Sequence, residues 1–329
     1  MSSLPTFADV QAAARRLDGI VVRTPLLETA RVNARLGGRL FIKAECLQRT
    51  GSFKIRGAYN FLASMSDADR KKGVVGWSSG NHAQGLAEAA RLMGIKATIV
   101  MPADAPALKV ANTRASGAEV VLYDRVKESR EEIGLGIAKK TGATVVPPYD
   151  HPWILVGQGT AGLELAEQAK AFGVTLDAVA APCSGGGLST GVALGVKGIS
   201  PSTTVHAGEP AGFDDMTRSL AAGAKRRNDK LSGSICDALL APEPGDVTFP
   251  LAQKVLGPGL VVTDEEVLDA MEVAFREFKL VVEPGGAVAL AAALTGKLPV
   301  KDRTVAVVCS GGNVDPVTFT RALERRASA

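Results

Sequence analysis

Four short runs join side chains and backbone that could do chemistry. In Gly51-Ser52-Phe53-Lys54-Ile55-Arg56-Gly57 a lysine stands between two apolar residues, beside flexible glycine. An amine placed so can be desolvated and form a Schiff base with a carbonyl. A lysine at the surface end of an ordinary strand or helix reads the same way. In Ser78-Ser79-Gly80-Asn81-His82 a polar run follows an apolar one and precedes a helical pattern. Free N–H groups at a helix start bind anions, here a substrate carboxylate, although Ser79 or Asn81 could equally be a plain cap. Ser184-Gly185-Gly186-Gly187-Leu188 lets the backbone approach a phosphate and aim successive N–H groups at it. It fits neither the Walker loop nor the dinucleotide fingerprint, and a glycine-rich turn is the plainer alternative. Cys309-Ser310-Gly311-Gly312-Asn313 follows the last apolar run, so Ser310 could present its hydroxyl to a bound ring or merely cap a loop.

These runs need elements to hold them. Short β-branched stretches at 39–45, 74–78, 97–101, 119–123, 144–146, 178–181, 204–207 and 304–309 predict strands. Amphipathic stretches at 83–93, 107–116, 127–141, 159–172 and 188–197 predict helices between them. Apolar strands separated by helices imply parallel sheets covered on both faces. Thr263 and Glu266 have capping-box spacing, and Val267, Ala270, Met271, Ala274, Phe275 and Phe278 then repeat at three and four as a core face.

The 329 residues, 46% of them hydrophobic, suffice for one large or two medium domains. The net charge of +4 is dispersed, and the one basic cluster, Lys225 to Arg227, sits in a polar loop, which argues against nucleic acid. Four cysteines far apart suggest neither a zinc site nor a redox pair. No signal peptide is evident, and no apolar run approaches the roughly 20 residues that span a bilayer. A soluble, cytoplasmic protein without membrane partners is expected. Three histidines, all read as structural, and the lack of a G-x-S-x-G elbow argue against a Ser–His–Asp hydrolase.

Taken together and in order, Ser52–Gly57, Ser78–Gly85, Gly157–Thr160, Ser184–Leu188, Lys279–Pro284 and Ser310–Asp315 resemble the fold-type II enzymes that use pyridoxal 5′-phosphate (PLP). The branch resembled is that of serine/threonine dehydratases, serine racemases and 3-hydroxyaspartate dehydratases. The resemblance implies an α/β architecture like that of the tryptophan synthase β subunit: two open, twisted parallel-sheet domains with the site in the cleft. Residues 1–49 and 148–329 would form the large domain and 50–147 the small one. It further implies that Lys54 carries PLP and acts as base, that Phe53 packs on its ring, and that Asn81 bonds its 3′-oxygen. Ser184, Gly185, Gly186, Gly187 and Leu188 would hold the phosphate, Ser310 would face the ring nitrogen, and Glu283 would lie nearby. Ser78, Ser79, Gly80, Asn81 and His82 would hold the substrate carboxylate. Glu209, the Phe213 carbonyl and Asp215 match a site for Mg²⁺, Ca²⁺ or Mn²⁺, for which all-oxygen ligands are suited.

The implied reaction eliminates water from a small β-hydroxy amino acid, and the resulting enamine is hydrolysed to a 2-oxo acid and ammonia. A neutral Ser310 beside the ring nitrogen favours prompt loss of the hydroxyl. Ser79, where many threonine dehydratases carry alanine, leaves a racemase open, since that reaction needs a second acid–base group on the opposite face. A β-replacement enzyme and a non-catalytic PLP- or amino-acid-binding protein are further alternatives. Three features depart from the branch: Ser184 stands where glycine is frequent, Cys236-Asp237-Ala238 where Ala-Asp-Gly is frequent, and 241–249 follows no pattern. No regulatory domain is expected after Asp315, and relatives suggest a homodimer or homotetramer.

Overall fold

In this computed structural model residues 4–105 and 107–325 are described, Leu108 by its backbone only. The chain starts with α1 (Phe7–Leu17), β1 (Leu26–Leu27), α2 (Ala30–Leu36) and β2 (Arg39–Lys43). It continues through α3 (Lys54–Ala63), α4 (Asp67–Lys72), β3 (Val74–Trp77), α5 (Asn81–Met93), β4 (Ala97–Pro102), α6 (Ala107–Ala115), β5 (Glu119–Tyr123), α7 (Arg130–Thr141) and β6 (Thr144–Val145). The remainder is α8 (Pro152–Ala171), β7 (Ala178–Pro182), α9 (Gly187–Ile199), β8 (Thr204–Pro210), α10 (Asp215–Ala222), α11 (Thr248–Val255), β9 (Leu260–Val262), α12 (Asp264–Phe278), α13 (Pro284–Leu294), β10 (Thr304–Val308) and α14 (Pro316–Glu324). No helix among the described residues is long and apolar enough to cross a membrane.

The strands form two sheets, as expected: β1-β2-β10-β7-β8-β9 and β5-β4-β3-β6. Every pair is parallel except β1 with β2, an antiparallel edge. β4 and β7 are buried along their whole length, as strands covered on both faces must be. β1 and β9, at two and three residues, are too short to carry a readable pattern.

Two readings of the sequence shift. The helix expected from Gly159 begins at Pro152, where His151 Nδ1 accepts the Trp153 N–H and proline supplies a ready-made first turn. Its glycines are contact points rather than breaks. A Cβ on Gly157 would lie 2.6 Å from the Arg56 carbonyl oxygen, and one on Gly162 2.3 Å from that of Val192. They let α3 and α9 press onto α8, which is buried nearly all round. On α12 the capping box forms in both directions. Phe275, however, leaves the core stripe: it is 39% exposed and meets Phe319 of α14 edge-on.

Where α3 enters between the sheets, four charges are buried together. Arg56 donates to both Glu45 oxygens (2.8 Å each) and to both Glu164 oxygens (2.7 and 2.9 Å). Lys43 donates to Glu164 (2.6 Å), the Thr24 carbonyl (2.7 Å) and Gln168 (3.0 Å). Burial alone would push the Glu45 carboxyl up, but the Arg56 guanidinium outweighs it and holds it below the usual range. Removing one member of such a cluster strands the others without counter-charge. Arg56→Met is therefore expected to lower stability by about 3–5 kcal/mol, read from urea denaturation, and Arg56→Lys by less.

Candidate active site

The segment before α3 is built against the loop after β10. Thr50 and Gly51 both take left-handed backbone, with φ of 65° and 70°. A Cβ on Gly51 would lie 2.6 Å from Asn313 Oδ1, so the close turn requires glycine. Ser52 bridges Gly311, the Phe53 N–H donates to the Ser310 carbonyl (3.1 Å), and the Gly312 N–H to the Gly51 carbonyl (2.9 Å). This pairing fixes Lys54 at the first turn of α3, facing the cleft. Its amine donates to the Pro148 carbonyl at 2.8 Å and stands 5.2 Å from the Phe53 ring centre.

Burial pulls the Lys54 amine down to about 8, against the upward pull of Glu283. Burial pushes Glu283 the other way, to about 7, helped by Asp237 and opposed by Lys109, Asn81 and Lys54. The two groups are thus both drawn toward their neutral forms near neutral pH. Asn81, at the start of α5, donates from Nδ2 to Glu283 Oε1 at 2.5 Å, and its Oδ1 accepts from Asn313 Nδ2 at 2.7 Å. Asn313 also donates to the Thr50 carbonyl at 2.9 Å, so one amide chain links α5, the Ser310 loop and the turn before Lys54.

In the 78–82 run, the Gly80 N–H donates to Ser78 Oγ at 3.2 Å, and Ser79 and Gly80 are half-buried. The His82 ring turns away and meets the Val146 carbonyl at 3.1 Å; burial pulls it down to about 3, so it is neutral. Its imidazole is structural, and only its backbone belongs to the candidate carboxylate site. His151 and His206 are structural too, the latter against the Pro258 carbonyl.

Gly185 to Gly187 lead into α9. A Cβ on Gly185 would fall inside the Tyr149 ring and one on Gly187 3.0 Å from Gln158 Oε1, while Gly186 needs its φ of 96°. The first turn of a helix leaves N–H groups without intrahelical partners, and here no side chain shields them. Ser52 Oγ and Gln158 Oε1 are buried without a hydrogen-bond partner among the described residues. An amine held near neutrality, a bare glycine cradle at a helix start and orphaned polar atoms beside it fit a phosphate-bearing carbonyl cofactor. Ser184 Oγ, at the departure from glycine, accepts the Ala241 N–H at 3.1 Å.

Several contributors carried no signal in the sequence. Asp150 accepts the N–H groups of Asp246, Val247 and Thr248 at 2.8, 2.9 and 3.1 Å. Thr248 Oγ1 in turn donates to the Gly185 carbonyl at 2.6 Å. The unaligned 241–249 segment is thereby tied to the glycine cradle. Lys109 and Asp237 pair at 3.3 Å. At the candidate cation site, Glu209 accepts from the Met216 and Thr217 N–H groups and the Thr217 hydroxyl. Asp215 Oδ1 accepts from Asn228, and its Oδ2 is buried without a partner. Burial, then Asp215, pushes Glu209 up to about 8; burial pushes Asp215 up to about 6. Among the described residues no group of three or more His, Cys, Asp or Glu converges there.

Lys54 against the Pro148 carbonyl and the glycine run against the neighbouring Tyr149 place a buried amine and an uncapped helix start close together in an α/β fold of two largely parallel sheets. The chain belongs to the family of pyridoxal-phosphate dependent enzymes, whose profile matches residues 17–311. It is 45% identical over 321 residues to an L-threo-3-hydroxyaspartate ammonia-lyase from Pseudomonas sp, covering 98% of this chain and 99% of that one. It is 40% identical to an L-threonine ammonia-lyase from Thermotoga maritima, covering 97% of this chain and 78% of that one. The structure of maize serine racemase superposes with a TM-score of 0.91 at 38% identity, covering 98% and 97%.

Lys54 and Glu283 make a pH prediction. Glu283→Gln removes the carboxylate that holds the amine up, so the amine falls further below about 8. The rate at which apoprotein captures PLP, followed by visible absorbance, should rise to its plateau at lower pH in the variant. An unshifted profile would mean that Glu283 does not act on the amine.

Proposed function

We propose that the protein is an ammonia-lyase that eliminates water from a small β-hydroxy amino acid to give an enamine, whose hydrolysis takes one water back and yields a 2-oxo acid and ammonia. The observation that carries this reading is Lys54: an amine buried until its basicity approaches neutral pH, facing the glycine cradle across the cleft. PLP, when bound, supplies the carbonyl that captures the substrate amine and the conjugated ring that takes up the electrons of the Cα–H bond. Lys54 then takes the α-proton, for which a basicity near the operating pH is the effective range. Ser310 offers the ring nitrogen a neutral partner, and the backbone of Ser79 to His82 orients the substrate carboxylate at the start of α5. Domain closure excludes water while the proton is in transit. The reading takes the protein to work as a homodimer or homotetramer.

The decisive assay is 2-oxo acid release from L-serine, L-threonine and L-threo-3-hydroxyaspartate by the PLP-loaded protein. Turnover of at least one is expected, with Lys54→Ala losing both turnover and the visible band. Substrate-dependent spectral change without 2-oxo acid would point to a non-catalytic binder.

Ser79 favours a second reading, racemisation, because no hydrogen bond engages its half-buried hydroxyl among the described residues. Ser79→Ala should then lose D-serine turnover and racemisation selectively while keeping L-serine elimination. Equal loss with both enantiomers would assign Ser79 to carboxylate binding instead.

The proposal includes a structural divalent cation at Glu209, Asp215 and the Phe213 carbonyl, supported by the orphaned Asp215 Oδ2. Mg²⁺ should raise the melting temperature of the wild type and not of Asp215→Asn.

A further inference from the structure

We propose that Lys109 receives a second carboxylate carried by the substrate, and so selects β-hydroxy amino acids with an acidic side chain. This rests on the ammonia-lyase reading above and names its substrate class. Lys109 projects from α6 with 13% of its side chain exposed. Its Nζ lies 3.5 Å from where a Cβ would stand on Gly80, inside the run expected to hold the α-carboxylate. On its other side it meets Asp237 Oδ2 at 3.3 Å, and that aspartate is 58% exposed. Lys109, Asp237, Glu283 and Asn313 line one cavity of about 270 Å³.

Charge balance decides what such a cavity accepts. Asp237 and Glu283 present two acids to it, which would repel an incoming carboxylate. Lys109 offsets them, and its partner among the described residues is a long, half-solvated contact that a better-placed carboxylate displaces at small cost. The ammonium is a compact point charge on a flexible stem, so it can turn from Asp237 to the substrate without moving α6. Lys54 cannot serve, because its amine is committed to Pro148 and to the chemistry. Arg130 is the natural comparator: its charge reaches Tyr149, but it is 46% exposed and paired with its neighbour Glu131. The side chains of serine and threonine carry no charge and leave the Lys109–Asp237 pair intact, so neither draws on Lys109.

The test uses PLP-loaded wild type, Lys109→Met, Lys109→Arg, Asp237→Asn and Arg130→Met. Two quantities are measured: kcat/KM for L-threo-3-hydroxyaspartate, L-threonine and L-serine, and spectroscopic affinity for L-aspartate. The last has the second carboxylate but no leaving hydroxyl, so it reads binding without elimination. Lys109→Met should lose roughly 10- to 100-fold on hydroxyaspartate and in L-aspartate affinity, the size of one charge-assisted hydrogen bond. Its threonine and serine activities should fall by less than its hydroxyaspartate activity, because for them only the indirect action of Lys109 on Glu283 is lost. Lys109→Arg should recover part of the loss, and Asp237→Asn should tighten L-aspartate by removing the competing carboxylate. Equal loss on all substrates, selective loss in Arg130→Met instead, or a wild type that binds no L-aspartate overturns the assignment. A wild type that binds L-aspartate through Lys109 but releases no 2-oxo acid from any substrate would overturn the ammonia-lyase reading and leave the dicarboxylate site standing.

Discussion

The buried cluster of Lys43, Glu45, Arg56 and Glu164 is the constraint on which the site depends. Two cations and two carboxylates balance, and the guanidinium fork is filled on both edges. Burying four charges is poor value for stability, since apolar residues of the same volume often do as well. What the cluster secures here is a single placement of α3. The fork fits Glu45, at the end of β2, and Glu164, on α8, in one register only. Arg56 lies two residues beyond Lys54, so the same register sets where the Lys54 amine emerges. The Ser52–Gly311 bridge holds the other side of the lysine, leaving no slack in the backbone between the two anchors.

A lysine fixed in this way can be tuned by its surroundings rather than by its own motion. Burial makes the amine less basic and Glu283 less acidic, and each opposes part of the shift in the other. Because Glu283 is also bonded to Asn81 and Asn81 to Asn313, the carboxyl cannot swing to form a tight ion pair with the amine. The amine therefore stays accessible as a nucleophile near neutrality. A free Lys–Glu pair at contact distance would raise the amine's basicity and defeat that purpose. The two asparagines thus separate the charges as much as they organise the loops.

Local pattern made much of the fold legible. All eight expected strand stretches are strands, because runs such as β4 and β7 are buried on both faces and their residues say so. The glycine cradle and Lys54 were legible only together with the other runs: each alone reads as an ordinary turn or a surface lysine, and the ordered set resembling one family singles them out. The start of α8 was hidden by Gly157 and Gly159, which read as loop residues until their contacts with α3 and α9 are known. Phe275 has the right helical phase for the core, but α14 leaves it at the rim. Asp150 and Lys109 had no signal, and Asp237 was marked only by the branch pattern around it: each acts on a partner roughly a hundred residues away, and a lone charged residue in a polar stretch looks the same wherever the fold sends it.

The structure also separates what is fixed from what is free to vary. Gly185, Gly186 and Gly187 sit where a Cβ clashes or φ is positive, and the segment before Lys54 is held by backbone pairing with the Ser310 loop. The segment 241–249 hangs by hydrogen bonds from its surroundings: Ala241 and Pro242 from Ser184 Oγ and Asn228, Gly245 and Thr248 from the Gly185 carbonyl, and the N–H groups of Asp246, Val247 and Thr248 from the Asp150 carboxylate. Within it Phe249 packs against Cys183, Ala207, Met216 and Ala252, and Thr248 is buried, whereas Asp246 is exposed. The Ser184 hydroxyl, which glycine cannot supply, is one of those attachments, so the cradle residue that departs from the branch also holds the first residue of the loop that follows no common pattern.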